Sequence, residues 1–485
     1  MTVAQRVHQQ GRPHGSPAER PGRAPVLILC PGLFSVRNVV HSRMLPALRA
    51  LGQPVHILAS APGGAPPALP APGPDQVYAG LPAPARRASR RLRAMDVVQR
   101  ASFFRRHRLA THRITSWWYR RGESPLNRLQ HELLETLALP GSRSPLYRWQ
   151  MHYMARLRRA SWDLHPIREQ LGAIRPSLVV ATSCINLAEE PFLLAAADLG
   201  IPTLGCIQSF DHLTDRSYVA DCDHFAVWNE RMRSQLLRYH RVRAPSQIHV
   251  TGTAQFDFHA QDEFRWPREE TLSRLGLAPG DRYVLYAANT HPVTPSEPEL
   301  VGEFSRRCAQ AAELAGHRIV VRLHPNDDFE RWNDLGRADH RIVLSRPSVR
   351  PESFAVAGDQ ARLVSTLLHA DVCLNVWSSM SLDATAVGTP VVCVGFARGR
   401  DPLEDRFCRM VYDVDFYRPI IESGGVRLAS SMDELVAETA AYVADPARDA
   451  AERARLAASE CGPLDGGSAE RVAALIARIA DGSAA

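Results

Sequence analysis

HADVCLNVWSSMSLDATAVGTPVVCVGF, residues His369 to Phe396, switches twice between strand and helix signals. Val372 to Val376 is a short apolar run of strand type, and Val391 to Val394 is a second. Between them lie a turn rich in small hydroxyls (Ser378, Ser379, Ser381), a short helix carrying Asp383, and Gly388-Thr389-Pro390, which ends the helix and starts the next strand. In a parallel sheet the loop after a strand's carboxyl end opens into a crevice, where the following helix presents free N–H groups and its positive dipole end. A phosphate suits that crevice. Asp383, about one turn into the helix, lies far enough from it to accept hydrogen bonds from a ribose. Hydroxyls and Asp at a helix start also serve as plain caps.

The complete pattern, SS-x-x-x-D-x-x-x-x-G-x-P, resembles the donor-nucleotide site of GT-B glycosyltransferases. The serine pair is most similar to CDP-glycerol glycerophosphotransferases and to capsule or lipopolysaccharide sugar transferases. This resemblance implies an α/β protein of two Rossmann-like domains facing each other across a cleft. The second domain would hold a nucleotide-activated donor on Ser378, Ser379, Ser381 and Asp383.

A chain of 485 residues accommodates two domains of that kind. Its 45% hydrophobic and 22% charged residues read as soluble and globular, and no apolar run is long enough to span a bilayer. The N-terminus has no apolar segment of signal-peptide type, so a cytoplasmic location is expected. Nine cysteines, scattered and never in C-x-x-C spacing, read as reduced core residues and exclude a disulfide frame or a zinc site. All 58 basic residues are Arg, which leaves no lysine for Schiff-base or Walker-type chemistry. No metal and no cofactor beyond the donor itself is expected.

The expected organisation is a disordered tail (1–23), an acceptor-binding domain (24–259), a linker (260–279), a donor-binding domain (280–465) and a crossing C-terminal helix (466–485). Val26 to Cys30, the helical run Arg37 to Leu51 and Val55 to Ala59 make a β-α-β opening, with Gly32 in the loop that faces the cleft. Too few glycines stand there for a dinucleotide fingerprint. Residues 60–160 read as a Pro/Ala/Gly-rich loop followed by an Arg-rich helical insertion. From Leu81 to Ala160, 18 Arg face four acidic residues, interleaved with Phe103, Phe104, Trp117, Trp118, Tyr119 and Trp149. Such a stretch is either a solvated helical face whose arginines cover apolar surface or a contact for anionic lipid or a lipid-linked acceptor. No nucleic-acid motif accompanies the charge.

Further on, Thr203 to Gln208 is a strand whose following loop, Ser209-Phe210-Asp211-His212-Leu213-Thr214, projects into the cleft by the parallel-sheet rule. The loop is similar to the Q-S-x-D-N/H-L-T loop of surface-polysaccharide glycosyltransferases. Asp211 and His212 would supply a base for an acceptor hydroxyl or cap the turn. In the second half Thr290-His291-Pro292 follows one strand and Arg322-x-His324-Pro325 the next. These pairs resemble 3-deoxy-manno-octulosonate transferases, glycerophosphotransferases and related epimerases. The resemblance sets His291 in the cleft and Arg322 and His324 beside the donor phosphates, with His324 also stabilising the leaving group.

The expectation is an inverting, metal-independent glycosyltransferase that moves a sugar from a nucleotide-activated donor to a cell-surface glycan or lipid-linked acceptor, at most peripheral at the inner membrane face. The alternatives are a CDP-glycerol glycerophosphotransferase, an enzyme like UDP-N-acetylglucosamine 2-epimerase, or a non-catalytic membrane-surface protein. The epimerases carry an Arg-containing H-R-R-E-N run where this chain has His291-Pro292-Val293-Thr294.

Overall fold

The computed structural model describes residues 23–60, 69–82, 85–87, 89–122, 124–141, 144–240, 242, 244–347, 357–399 and 401–483. The expected N-terminal tail lies outside them, apart from residue 23. The first sheet is parallel throughout: β1 (Val26–Cys30), β2 (Val55–Ala59), β3 (Gln76–Gly80), β4 (Leu178–Ala181), β5 (Thr203–Cys206), β6 (His224–Val227) and β7 (Ile248–Val250) in the order β3-β2-β1-β4-β5-β6-β7. The second comprises β8 (Arg282–Ala287), β9 (His317–Arg322), β10 (Ile342–Ser345), β11 (Val372–Asn375), β12 (Val391–Val394) and β13 (Arg427–Ala429), also parallel, in the order β10-β9-β8-β11-β12-β13. Both are doubly wound α/β sheets. Helices cover both faces, so β1, β4, β11 and β12 are buried at every position, and for that reason they read as unbroken apolar runs.

β3 falls in the stretch expected to be loop. It is an edge strand, mostly exposed and without an apolar run, paired through its backbone to β2, Val55 opposite Gln76 through Ala59 opposite Gly80. The expected linker 260–279 also carries structure. Its helix Arg268–Leu275 buries Leu272 and Leu275, and the Trp266 N–H donates to Ser365 Oγ at 2.8 Å, which fastens the segment to the second half.

Helix Ser468–Ala480 packs Val472, Leu475 and Ile476 against Val26, Ile28 and Ile57 of the first sheet. Asp257 caps it, accepting from the N–H groups of Ser468 (2.9 Å) and Ala469 (2.7 Å). Gly252 is required at this crossing. Its φ is +79°, and a Cβ there would stand 2.3 Å from Ser468 Oγ.

Between β3 and β4 the chain forms helices Arg90–His107, His112–Gly122, Pro125–Gly141, Ser144–Ser161 and His165–Ile174. Several arginines of this insertion serve the protein itself. Arg105 donates to the Glu135 carbonyl, Arg106 lies over the Tyr147 ring (4.9 Å), and Arg158 pairs with Asp96 (2.6 Å) over the Tyr218 ring (4.0 Å). The second of these helices reaches the opposite half of the molecule. Asp415 accepts from both the N–H and the hydroxyl of Thr111 at its foot, Arg113 pairs with Asp413 (2.8 Å), and Trp117 meets Phe407 with ring centroids 4.3 Å apart. The insertion thus latches the two halves together.

Candidate active site between the two sheets

In the second sheet the strand order reverses between β8 and β11, which makes the crevice outside their carboxyl ends the expected ligand position. The loops of β8, β9 and β11 meet there. Asn289 Nδ2 donates to the Val376 carbonyl (3.2 Å), and the His291 N–H donates to Asp327 (2.7 Å), joining the two His-Pro loops. Beneath them lies Arg331, its side chain mostly covered, which donates to the carbonyls of Asn289 (3.1 Å), Thr294 (2.9 Å) and Pro295 (3.2 Å) and to the carboxylates of Glu297 (3.1 Å) and Asp327 (3.0 Å). Glu297 also accepts from the Asn289 N–H and from Tyr286. Burial pushes its carboxyl up to about 7 against the pull of Arg331. Arg331 and Glu297 were not singled out from the sequence, because they meet across 34 residues of chain.

The turn after β11 is strained. Trp377 has φ +43°, a genuine outlier for a bulky side chain, held by its N–H donating to Tyr412 Oη (2.9 Å) and by its ring against Phe407 and Phe416. This conformation presents Ser378, half-buried, and Ser379, exposed, at the crevice. Two of the expected donor contacts are corrected. Ser381 is fully buried with its hydroxyl among Asn375, Tyr417 and Cys393, so it braces β11 and β12 instead of meeting a ligand. Asp383 is also buried: its carboxylate is covered by Gln255 (3.4 Å) and His259 (3.2 Å) from helix Ala254–Ala260, so it anchors the first half and is not open to a ribose.

Arg322 ends β9 with Asp359 at 3.6 Å and its NH1 group buried without a partner among the described residues. Burial lowers its pKa, opposed by Asp359. From the first half Arg37, also buried, donates to Gln255 (3.2 Å), and burial brings it to about 10 against the attraction of Asp383 and Asp359. The two guanidinium groups therefore share one pair of carboxylates. His324 is half-buried. Its Nδ1 accepts from the Asn326 N–H (3.1 Å), and burial holds the imidazole neutral, which leaves Nε2–H as a donor.

In the first sheet the order reverses between β1 and β4. Gln208 after β5 donates to Ser35 (3.1 Å), and with Thr182, Trp228 and Thr253 they line a cavity of about 50 Å³. Gly32, extended at φ −176°, precedes helix Leu33–Val40, and nothing stands where its Cβ would be. Glu189 braces the β4 loop, accepting from the Ser183 N–H at 3.1 Å, and burial raises it to about 8. Its ordinary value is 4.5, so the folded state binds this proton more tightly than the unfolded chain does. Stability should therefore fall as pH rises from about 4.5 towards 8 and level off above. Glu189→Gln should flatten that part of a denaturation-versus-pH curve, and an unchanged slope would contradict it.

Asp211 accepts from the Ser209 hydroxyl. The neighbouring imidazole of His212 is held neutral by burial, with Nδ1 buried and unpaired among the described residues. Phe210 joins this loop to the other half: its ring meets Phe416 at 5.5 Å and Tyr417 at 6.3 Å, and Tyr417 Oη donates to the Ser378 carbonyl (3.2 Å). The histidine loop of one sheet and the serine turn of the other thus share one aromatic cluster, Phe210, Phe416 and Tyr417. A larger cavity, of about 930 Å³, opens elsewhere, between Trp228, Arg231, Gly388, Arg453 and Glu460. Its walls are mainly apolar and it includes none of these loops, so the polar loops define the site.

No protein-family model matches the chain, and no curated protein matches it in sequence. Solved structures do match in shape. A protein described as a UDP-N-acetylglucosamine 2-epimerase from Listeria monocytogenes shares 14% identity over 94% of this chain and 96% of its own, with a TM-score of 0.52. MnaA of S. aureus, solved with UDP, shares 12% over 92% and 94% (TM-score 0.51). A variant of the wall teichoic acid polymerase TagF shares 10% over 95% and 89% (TM-score 0.50). The chain has the GT-B fold, with an Arg-rich helical insertion in its first half.

Proposed function

We propose that the protein is a nucleotide-sugar-dependent transferase: the second half binds the activated donor, the first half presents the acceptor, and a glycan or lipid-linked hydroxyl displaces the nucleoside diphosphate. The observation that carries this reading is the junction Phe210–Tyr417–Ser378, which brings a loop bearing Asp211 and His212 against a turn bearing Ser378 and Ser379. The chemistry requires a base at the acceptor and donors at the leaving group. Neutral His212, paired in sequence with Asp211, is the base. Arg322, the His324 Nε2–H, His291 and the Ser378 and Ser379 hydroxyls receive the diphosphate, where an Arg and fixed N–H donors offset charge as it builds on the departing oxygen. The neighbours with UDP or a teichoic acid polymer in their names accord with an activated-donor enzyme of this fold.

A thermal-shift panel of UDP, CMP, CDP, GDP and TDP tests it. The matching nucleotide at about 100 Kd should add about 2.7 kcal/mol to stability. In His324→Ala the same nucleotide should bind about 1.5–3 kcal/mol more weakly, as expected for losing a hydrogen bond to a charged group. A panel with no response overturns the reading. Equal affinity in His324→Ala removes His324 from the donor site.

A further inference from the structure

The insertion carries a surface that the transferase reading leaves unused. Helices Pro125–Gly141 and Ser144–Ser161 pack against each other and hold four exposed large apolar side chains, Leu129 (55% exposed), Leu133 (58%), Leu146 (42%) and Trp149 (58%). The other exposed large apolar residues among those described stand singly on separate elements. Trp149 stacks on Tyr153, centroids 5.3 Å apart and planes 4° from parallel. Arg156, three residues on from Tyr153 and so on the same face, and Arg148, next to Trp149 in the chain, are both exposed and have no carboxylate partner among the described residues.

From these observations we infer that this helix pair docks on the surface of an anionic lipid bilayer, with Leu129, Leu133, Leu146 and Trp149 entering the headgroup boundary and Arg148 and Arg156 facing lipid phosphates. Exposed leucines and tryptophan flanked by arginine match an interfacial helix. Residues 81–160, with 18 Arg against four acidic residues, supply the complementary charge. The same charge disfavours a second copy of this chain, whose identical face would bring like charges together. Nucleic acid would pair with the arginines but leave the leucines in water. No helix of the described residues is long and apolar enough to cross a membrane, so the contact lies in the interface plane. Arg105 and Arg106, bound within the insertion, take no part.

Flotation of the full chain with vesicles, in the absence of any donor, tests the surface independently of the transferase reading. The chain should float with phosphatidylcholine–phosphatidylglycerol vesicles at low salt, remain behind with phosphatidylcholine alone, and be released by raised salt. Arg148→Gln with Arg156→Gln should weaken partitioning about 30-fold, from roughly fivefold per basic side chain near an anionic surface. Trp149→Ser with Leu133→Ser should weaken it while preserving the circular dichroism spectrum, because both side chains are exposed. The inference is overturned if the wild type ignores anionic vesicles at low salt, or if both folded variants bind as the wild type does. It is also overturned if the variants instead abolish a concentration-dependent dimer, which would assign the face to a second copy.

Discussion

An Arg331→Met chain should unfold about 3–5 kcal/mol more readily than the wild type, the cost expected when one member of a buried charge network is removed. Its five guanidinium N–H groups have five acceptors around them: three carbonyls of the loop after β8 and the carboxylates of Glu297 and Asp327. Methionine fills the space but leaves two carboxylates buried without their cation, and burial already raises Glu297 to about 7 in the presence of Arg331. The loss is therefore mostly an electrostatic cost and not a cavity cost. Adding Glu297→Gln to Arg331→Met should recover part of it, because one of the stranded charges is gone. Denaturant titration of the two variants measures the difference. If the double variant is no more stable than the single one, the stranded Glu297 carboxylate is not the source of the loss. The same residue fixes the positions of Asn289 and, through Asp327, His291, so the single variant should also bind nucleotide poorly under conditions where it remains folded.

Turnover in His212→Ala should fall by about 10²–10⁴, the range for loss of a positioned general base, while nucleotide affinity stays at the wild-type value. Binding and chemistry separate because His212 stands on the first sheet's loop and the proposed diphosphate contacts stand on the second sheet's. The loop itself is held by Phe210 against Phe416 and Tyr417 and by the Asp211–Ser209 hydrogen bond, none of which the substitution touches. A donor-consumption assay beside calorimetry reads both quantities. Loss of nucleotide binding in a folded His212→Ala protein would place the donor on the first sheet and reverse the two roles.

The architecture was legible where burial on both faces turned strands into continuous apolar runs, as in VLILC of β1 and VVCV of β12. It was illegible at β3, whose exposed residues carry no such run and whose place is set by backbone pairing to β2. Within the site the sequence located the crevice loops, because turns after strands carry short polar motifs. It did not reveal which way side chains point from the short helix that follows. Ser381 and Asp383 lie on the inner side of helix Met380–Ala386, Ser381 towards Tyr417, 36 residues away, and Asp383 towards His259 and towards Gln255, 128 residues away. Spacing cannot report contacts of that range. The strain at Trp377 was equally hidden, since an aromatic residue gives no sign of a left-handed turn.

The central claim is that the donor diphosphate binds at the carboxyl ends of β8, β9 and β11. The most direct test is a crystal structure of the protein with whichever nucleoside diphosphate the thermal-shift panel selects. The phosphates should lie among His291, Arg322, His324, Ser378 and Ser379, with the His324 Nε2–H and a serine hydroxyl within hydrogen-bond distance. Density for the diphosphate at the first-sheet cavity beside Ser35 and Gln208, or in the apolar-walled cavity beside Arg231 and Arg453, would contradict the account.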